Sequence, residues 1–225
     1  MDKKLFKNRE DALEKLSKIL PLNQMNEEPW IIIAVSASAV PIAFGLSKKL
    51  NIKFKDKQTF DFMFTHKINT PNNDECELAI ITETKDIIIH KELMESFEIE
   101  LDDIYAQANE TYDKNIQQYI KQYRDGKPLV DMKNKNVLLV DEGLNTSLTM
   151  MACIKSAISC GVKSVAVAVP VLPKLTIIDI ELITDDIYFV KAPAHFVTID
   201  FYYDKLPDVD LELIKNITKE DIQCQ

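Results

Sequence analysis

Two adjacent carboxylates stand where an apolar run ends, and a hydroxyl-rich turn follows them at once. The stretch VLLVDEGLNTSLT, residues 137–149, carries Asp141 and Glu142 directly after four apolar residues. Two carboxylates at one point repel each other, so both stay charged only where a cation or hydrogen-bond donors compensate them. We expect this pair to contact a ligand or a metal ion. A solvated pair at a strand end is the plainer alternative.

The turn after the acidic pair predicts a phosphate site. A helix is predicted to follow the turn, and the free N–H groups at a helix N-terminus favour anions. The hydroxyl groups of the turn add further donors. Helix capping alone would explain one of these hydroxyls but not the whole set. The predicted phosphate-binding residues are Gly143, Asn145, Thr146, Ser147, Leu148 and Thr149.

Acceptors for hydroxyl groups and donors for phosphate therefore lie side by side in this stretch. A ribose 5-phosphate carries hydroxyl groups and a phosphate group at that spacing. Its 2- and 3-hydroxyls would meet Asp141 and Glu142, while its phosphate would lie in the turn. The stretch predicts a ligand of this class.

The elements that position this stretch are predicted from hydrophobic patterns. Continuous apolar runs indicate strands covered on both faces, at 30–36, 136–141 and 164–173. The strand, helix and strand between 136 and 173 describe a right-handed βαβ crossover in a parallel sheet. Ligands of such sheets lie beyond the carboxyl ends of the strands, where Asp141 and Glu142 are predicted to lie.

The rest of the chain predicts further helices and short strands. Helices are predicted at 9–20, 40–50 and 208–217, with a long amphipathic helix at 101–123. Its tyrosine and isoleucine stripe is interpreted as packing or as a dimer surface. Short strands are predicted at 60–66, 77–83, 86–90, 186–192 and 196–203, with a polar loop at 69–76.

The composition favours one acidic domain. The 225 residues, 46% of them hydrophobic, supply one substantial core. A net charge of −9 disfavours nucleic acid, whose binding depends on neutralising phosphates. No segment approaches the roughly 18 consecutive apolar residues of a membrane span, and the N-terminus lacks a signal-peptide pattern. We therefore predict a cytoplasmic protein with no membrane partner.

Several other kinds of site are disfavoured by spacing. The four cysteines form no CxxC pair and the three histidines form no HExxH, so neither zinc nor redox chemistry is indicated. A phosphoacceptor receiver domain needs on the order of 100 residues after its acidic pair, more than follow Glu142. A P-loop NTPase would carry GxxxxGK[ST], which this chain lacks.

The stretch VDEGLNTSLT resembles the signature of the type I phosphoribosyltransferases. That signature is an apolar run, two acidic residues, a short spacer and a Thr-Gly-x-Thr phosphate loop. The resemblance to a bacterial subgroup of phosphoribosyltransferase-like proteins extends in the same order over nearly the whole chain. Its matching positions are Phe6, Arg9, 37–41, 66–71, 77–80, Tyr123, Arg124, Pro128, 168–171, Phe196, Tyr202 and Tyr203.

This resemblance implies a fold. It is an α/β, type I phosphoribosyltransferase-like fold with a central, mainly parallel sheet flanked by helices. A small hood is expected from the chain ends. Residues 1–225 would form a single domain, with a helical insertion at 91–130. A homo-oligomer is a possible assembly.

The resemblance also implies a reaction and a set of contacts. Members of the family bind phosphoribosyl pyrophosphate with magnesium and transfer the ribosyl group to a nitrogenous base. Asp141 and Glu142 would contact ribose and magnesium, and Phe196 and Tyr202 are candidates for stacking on the base. The pyrophosphate loop would comprise Ala37, Ser38 and Ala39, with His66 and Lys67 as residual contacts.

The departures from the family pattern fall on the pyrophosphate loop and on the phosphate loop. Ala37 replaces an arginine, whose fork would hold phosphate, and Ser38 and Ala39 replace two glycines. In the phosphate loop Ser147 replaces a glycine. We therefore expect transfer to a base to be weakened or lost while binding of a ribose phosphate is retained. The alternative is a catalytically idle module that senses nucleotide or phosphate, or that serves in an assembly.

Overall fold

A five-stranded sheet and a three-stranded sheet form the framework of the protein. The computed structural model describes residues 4–50, 59–71, 73–210 and 212–217. The helices are α1 (Arg9–Ser17), α2 (Leu22–Met25), α3 (Val40–Leu50), α4 (Lys91–Ser96), α5 (Leu101–Thr111), α6 (Gln117–Arg124), α7 (Leu148–Ser159) and α8 (Lys174–Glu181). The strands are β1 (Trp30–Ala34), β2 (Phe60–Phe62), β3 (Thr65–Thr70), β4 (Asn73–Thr82), β5 (Ile87–Ile89), β6 (Asn136–Val140), β7 (Ser164–Val171) and β8 (Asp186–Lys191). Residues 212–217 are also helical, at the end of the predicted closing helix.

The five-stranded sheet is parallel, with the strand order β2-β1-β6-β7-β8. The predicted central sheet flanked by helices is therefore confirmed. Strand β6 lies between β1 and β7, and Val140 is paired with Ala34 on one side and Ala168 on the other. The carboxyl ends of these strands meet at one edge of the sheet, where the chain delivers Asp141.

Apolar side chains alternate between two cores on opposite faces of this sheet. On β6, Leu138 and Val140 pack in one core, which also contains residues of α1 and α3. Val137 and Leu139 pack in the other core, with residues of α7. Because both faces are covered, the strand has no polar alternation and appears in the sequence as a continuous apolar run.

The three-stranded sheet is antiparallel, with the order β3-β4-β5, and it supports a helical region. A third core lies between this sheet and α5, with Ile68 and Leu78 contributed by strands and Ile104 by the helix. A π-helical segment, Tyr112–Ile116, joins α5 to α6. The long helix predicted at 101–123 is thus confirmed, and it lies in the region predicted as an insertion at 91–130.

The single strand predicted at 60–66 is wrong. Phe60–Phe62 pairs in the parallel sheet, and Thr65–Thr70 pairs in the antiparallel one. Between them the N–H of Phe64 donates to the Glu83 side chain at 2.8 Å. At the point where the chain passes from one sheet to the other, a side chain thus accepts the hydrogen bond that a neighbouring strand would otherwise accept. The loop predicted at 69–76 is also shorter, because the hairpin of β3 and β4 extends to Thr70 and Asn73.

The strand predicted at 196–203 is wrong as well. Its alternating apolar residues suggested an extended segment, but Ile199–Tyr202 forms a 3-10 helix. The N–H of Ile199 donates to the Asn145 side chain at 3.3 Å. The single bridge in this segment pairs Tyr203 with Phe6, whose N–H donates to the Tyr202 carbonyl at 2.9 Å. Phe6 thus joins an early segment of the chain to residues 202 and 203, and the hood stays a prediction.

None of the helices in the described ranges is both long enough and apolar enough to cross a lipid bilayer.

Candidate functional site

An open cleft of about 720 Å³ lies at the carboxyl ends of β1, β2 and β6. This volume is within the roughly 300–1,000 Å³ typical of small-molecule sites. The acidic pair and the turn after it form one side of the cleft, and residues of β3, β4 and α6 form the other. The lining includes Ser36, Ala37, Ser38, Phe62, Phe64, His66, Lys67, Asn69, Glu77, Tyr119, Tyr123, Asp141, Glu142, Gly143, Asn145, Thr146, Thr149 and Ile199.

Asp141 is buried at the end of β6, with 8% of its surface exposed. Its Oδ1 accepts hydrogen bonds from the Ser36 hydroxyl at 2.7 Å and from the Glu142 N–H at 2.8 Å. Burial raises the pKa of this carboxyl to about 7, and the neighbouring Glu142 charge acts in the same direction. Ser36 and the backbone amide favour the charged form and limit the rise.

Glu142 is compensated by an arginine from the N-terminal segment. The Arg9 Nε lies 2.7 Å from Glu142 Oε2, and both side chains are nearly buried. The same Nε lies 3.1 Å from the Ser38 carbonyl, so one guanidinium joins the acidic pair to the loop after β1. The Tyr203 hydroxyl donates to the Glu142 backbone carbonyl at 2.7 Å. Burial raises the pKa of Tyr203, which keeps this hydroxyl protonated.

The turn before α7 presents free backbone amides. The amides of Thr146, Ser147, Leu148 and Thr149 donate no hydrogen bond to any residue in the described part of the chain. Thr146 and Thr149 line the cleft, as do Gly143 and Asn145, whereas Ser147 and Leu148 are not in its lining. The Ser147 hydroxyl instead donates to Asp179 at 2.9 Å. Four successive unpaired amides at the start of a twelve-residue helix can hold an oxyanion.

The loop after β1 forms a short 3-10 helix, Ala37–Ala39. Ser36 precedes it, and its side chain accepts the Ala39 N–H at 3.2 Å. Ala37 and Ser38 line the cleft, but Ala39 is fully buried and does not. The Ala39 N–H is therefore bonded within the loop. Ala37 presents a methyl group to the cleft at the position where the family pattern has an arginine.

His66 and Lys67 lie on the opposite wall, and both are engaged by neighbours. Lys67 forms an ion pair with Glu77, which also lines the cleft. His66 Nδ1 lies 3.2 Å from the Tyr119 hydroxyl. Burial lowers the pKa of His66, so its ring is neutral at pH 7. Neither residue brings an uncompensated positive charge to the cleft.

Four aromatic rings form a wall of the cleft that the sequence reasoning missed. Phe62 and Phe64 lie at its base, and Tyr119 and Tyr123 of α6 stand beside them. The Phe64 ring centroid lies 6.1 Å from that of Tyr119 and 5.7 Å from that of Tyr123. The two tyrosines are one helical turn apart, a spacing that predicts packing and carries no sign of a cleft. We call these four residues the aromatic wall.

The aromatic residues proposed for base stacking lie elsewhere. Tyr202 is only 8% exposed, and it packs in the core with Phe196, whose ring centroid is 5.3 Å away. Neither residue lines the cleft. Because the segment forms a 3-10 helix, it turns Ile199 toward the cleft instead, and the expectation that Tyr202 stacks on a base is not supported.

A buried ionic cluster holds α6 against both sheets. The Arg124 guanidinium contacts the carboxylates of Asp61, at 3.3 Å, and Glu83. It also lies 4.7 Å from the centre of the Phe64 ring. Burial raises the pKa of both carboxyls, and the Arg124 charge opposes this rise. The cluster therefore fixes the position of the helix that carries Tyr119 and Tyr123.

A family profile described as "Phosphoribosyl transferase domain" matches residues 3–201. The chain belongs to this family. The predicted membership is confirmed, and the profile spans the acidic pair, the turn and the aromatic wall.

Individual relatives agree with this membership. The chain is 22% identical over 200 residues to the proteins named "Putative phosphoribosyl transferase" in two strains of Mycobacterium tuberculosis. The alignment covers 87% of this chain but 42% of those relatives, so the chain spans less than half of their length. The crystal structure of TT1426 from Thermus thermophilus matches with a TM-score of 0.74 at 21% identity, covering 96% of this chain and 98% of that one. This likeness shows that the two chains share a fold over nearly their whole lengths.

The cleft offers a limited set of ligands for a metal. The described residues contain no group of three or more His, Cys, Asp or Glu side chains that could hold an ion. Asp141 Oδ2 and Glu142 Oε1 nevertheless make no hydrogen bond with the described residues. Mg²⁺ is commonly held by one or two carboxylates together with ligand phosphates and water. The acidic pair fits that mode of binding.

Proposed function

We propose that the cleft binds a ribose 5-phosphate compound such as phosphoribosyl pyrophosphate. The observation that carries this proposal is that the acidic pair lines the same cleft as Thr146 and Thr149, which bound a turn of four unpaired backbone amides, 146–149. The ribose hydroxyls would donate to Asp141 and Glu142, and the 5-phosphate would accept from the amides.

Magnesium would enter with the ligand. It would be held by the free oxygens of Asp141 and Glu142 together with phosphate oxygens of the ligand, and it would offset negative charge when bound. The chain itself supplies little positive charge to the cleft, because Lys67 is paired with Glu77 and His66 is neutral. A pyrophosphate group would therefore depend on the metal more strongly than a single phosphate would.

We propose further that transfer to a base is weakened or lost. The Ala37 side chain offers no charged donor to a departing pyrophosphate, and the 3-10 helix that it begins is capped at its start by Ser36. Catalysis of ribosyl transfer depends on stabilising that leaving group. The activity that fits these residues best is binding of a phosphorylated ribose, as in an idle relative that senses such a compound.

Calorimetric titration with ribose 5-phosphate, ribose and phosphoribosyl pyrophosphate, each with and without Mg²⁺, tests the binding proposal. We expect ribose 5-phosphate to bind and ribose not to bind. Thr146→Glu puts a carboxylate into the exposed turn and should abolish binding. Ser96→Glu, on the exposed surface of α4 and outside the cleft lining, is the control and should bind as the parent does. Absence of binding to any phosphorylated ligand would refute the proposal.

A gain-of-function variant tests the proposal about transfer. Ala37→Arg restores a charged fork at a partly exposed position of the cleft. Charge-assisted hydrogen bonds contribute about 1.5–3 kcal/mol, so affinity for phosphoribosyl pyrophosphate should rise about tenfold or more, with ribose 5-phosphate affected less. Pyrophosphate release is then measured with the common purine and pyrimidine bases. Rapid release by the parent protein would show that transfer has not been lost.

A further inference from the structure

An apolar stripe of α8 is exposed on the side of the helix that faces away from the core. Leu175 and Ile178 of α8, and Leu182 directly after it, have 78%, 60% and 79% of their surface exposed. Thr176 and Ile180 of the same helix are buried on its other side. Single exposed leucines are common, but three large aliphatic side chains on one face mark an interaction surface. We call Leu175, Ile178 and Leu182 the α8 stripe.

The spacing of the α8 stripe is that of a helix that packs along another helix. Its residues stand at positions i, i+3 and i+7, which form a narrow apolar seam of the kind found between two paired helices. None of the three lines the cleft, so the stripe is separate from the candidate functional site. The occupant that fits this seam is a second helix with a similar seam.

Two charged side chains beside the stripe stand at the wrong ends of α8 for the helix itself. Lys174 is the first residue of α8 and Glu181 is the last, whereas the helix dipole favours acidic side chains at the start and basic ones at the end. Neither side chain forms an ion pair or a hydrogen bond in the described part of the chain. Because they are seven residues apart, about two turns, both lie on the same flank of the stripe.

A second copy of α8 in the reverse direction complements these charges. About a two-fold axis near Ile178, Lys174 of each helix lies beside the partner's Glu181, and each charge also faces the oppositely charged end of the partner helix. A parallel pair would instead set like charges against each other. On the other flank Asp179 accepts a hydrogen bond from the Ser147 hydroxyl at 2.9 Å. Asp179 would approach its own symmetry mate, which weakens the association.

We propose that the α8 stripe is a homodimer interface, in which the α8 helices of two copies pack antiparallel about a two-fold axis. Three aliphatic side chains on an eight-residue helix form a small contact, below the roughly 1,200 Å² of stable complexes. The dimer is therefore weak, and its population depends on protein concentration. The interface shares no residue with the lining of the cleft, so its failure and that of the proposed ligand binding are independent.

Sedimentation equilibrium of the full chain at concentrations up to about 1 mM measures this dimer. We expect the parent to pass from monomer to dimer over this range. Ile178→Glu places a carboxylate at the two-fold axis and should raise the dissociation constant about tenfold or more. Leu101→Glu replaces an exposed leucine at the start of α5 and is the matched control, which should leave the constant unchanged. Urea denaturation of each variant verifies that it is folded.

Reversal of the two charges tests the direction of the helices. Lys174→Glu and Glu181→Lys each turn two attractive pairs into repulsive ones and should raise the dissociation constant roughly three- to thirtyfold. The double variant Lys174→Glu/Glu181→Lys restores both pairs and should recover most of the loss. A parent that stays monomeric throughout, or a dimer that Ile178→Glu leaves intact, would overturn the interface. A double variant no tighter than the single variants would overturn the antiparallel arrangement.

Discussion

Replacing Arg124 by glutamine is expected to destabilise the protein by about 3–5 kcal/mol at pH 7, the usual cost of breaking a buried ion pair. The Arg124 side chain is 8% exposed, and those of its partners Asp61 and Glu83 are 6% and 4% exposed. Solvent therefore cannot replace the lost charge. Glutamine also lacks the cation that lies over the Phe64 ring at 4.7 Å, which adds to the loss.

The loss should depend on pH in a defined direction. Burial already raises the pKa of Asp61 and Glu83 in the folded protein, and Arg124 opposes that rise. Without Arg124 both pKa values should rise further, so the folded state binds protons more tightly than the unfolded state does. Its free energy of unfolding then increases as the pH falls from 7 toward about 4, the ordinary pKa of these carboxyls. The variant should thus regain stability in mild acid relative to the parent.

Urea denaturation of the parent and the variant at several pH values between 5 and 8 measures both effects. Lys121→Gln changes an exposed basic residue of the same helix and should change the free energy of unfolding by less than about 0.5 kcal/mol. Adding Glu83→Gln to Arg124→Gln should recover part of the loss, because it removes one of the stranded charges. A loss below about 1 kcal/mol at pH 7, or one that does not change with pH, would refute the reasoning.

Two other substitutions test contacts around the acidic pair. Tyr203→Phe removes the donor to the Glu142 carbonyl in a buried site and should reduce the free energy of unfolding by about 1–3 kcal/mol, measured by urea denaturation. Gly143→Ala places a Cβ within 3.0 Å of Ile199, and such overpacking costs about 1–3 kcal/mol. The double variant Gly143→Ala/Ile199→Ala should lose less than the sum of the single losses, and strict additivity would show that the two side chains do not compete for space.

The central strands of the parallel sheet could be predicted because a strand that is buried on both faces is a continuous run of apolar residues. Residues 137–140 of β6 are all fully buried, and the run of four apolar residues reports this directly. The delivery of Asp141 to the carboxyl edge follows from the strand alone. Prediction failed where a side chain captures a backbone amide, as Glu83 does at Phe64 and Asn145 does at Ile199, because such a contact has no periodic signal.

The partners within the site could not be predicted for a related reason. Arg9 and Glu142 both match the family pattern, but their ion pair joins residues 133 positions apart, and a contact at that separation has no local signal in the sequence. The aromatic wall similarly depends on the position of α6 beside the strands. Arg124 holds that position through its buried contacts with Asp61 and Glu83, and an isolated arginine after a tyrosine in the sequence does not predict them.

The charges of the cleft connect the missing arginine to the aromatic wall. Among the charged side chains in its lining, Asp141, Glu142 and Glu77 are acidic and Lys67 is basic, so each added phosphate must overcome repulsion. The positive charge of Arg9 compensates the negative charge of Glu142. The unpaired amides of the turn favour the binding of one phosphate. No cationic side chain among the described residues lines the cleft at the loop after β1, where Ala37 stands in place of the arginine of the family pattern. Affinity lost there is best recovered from an uncharged group, and the aromatic wall offers a surface for one.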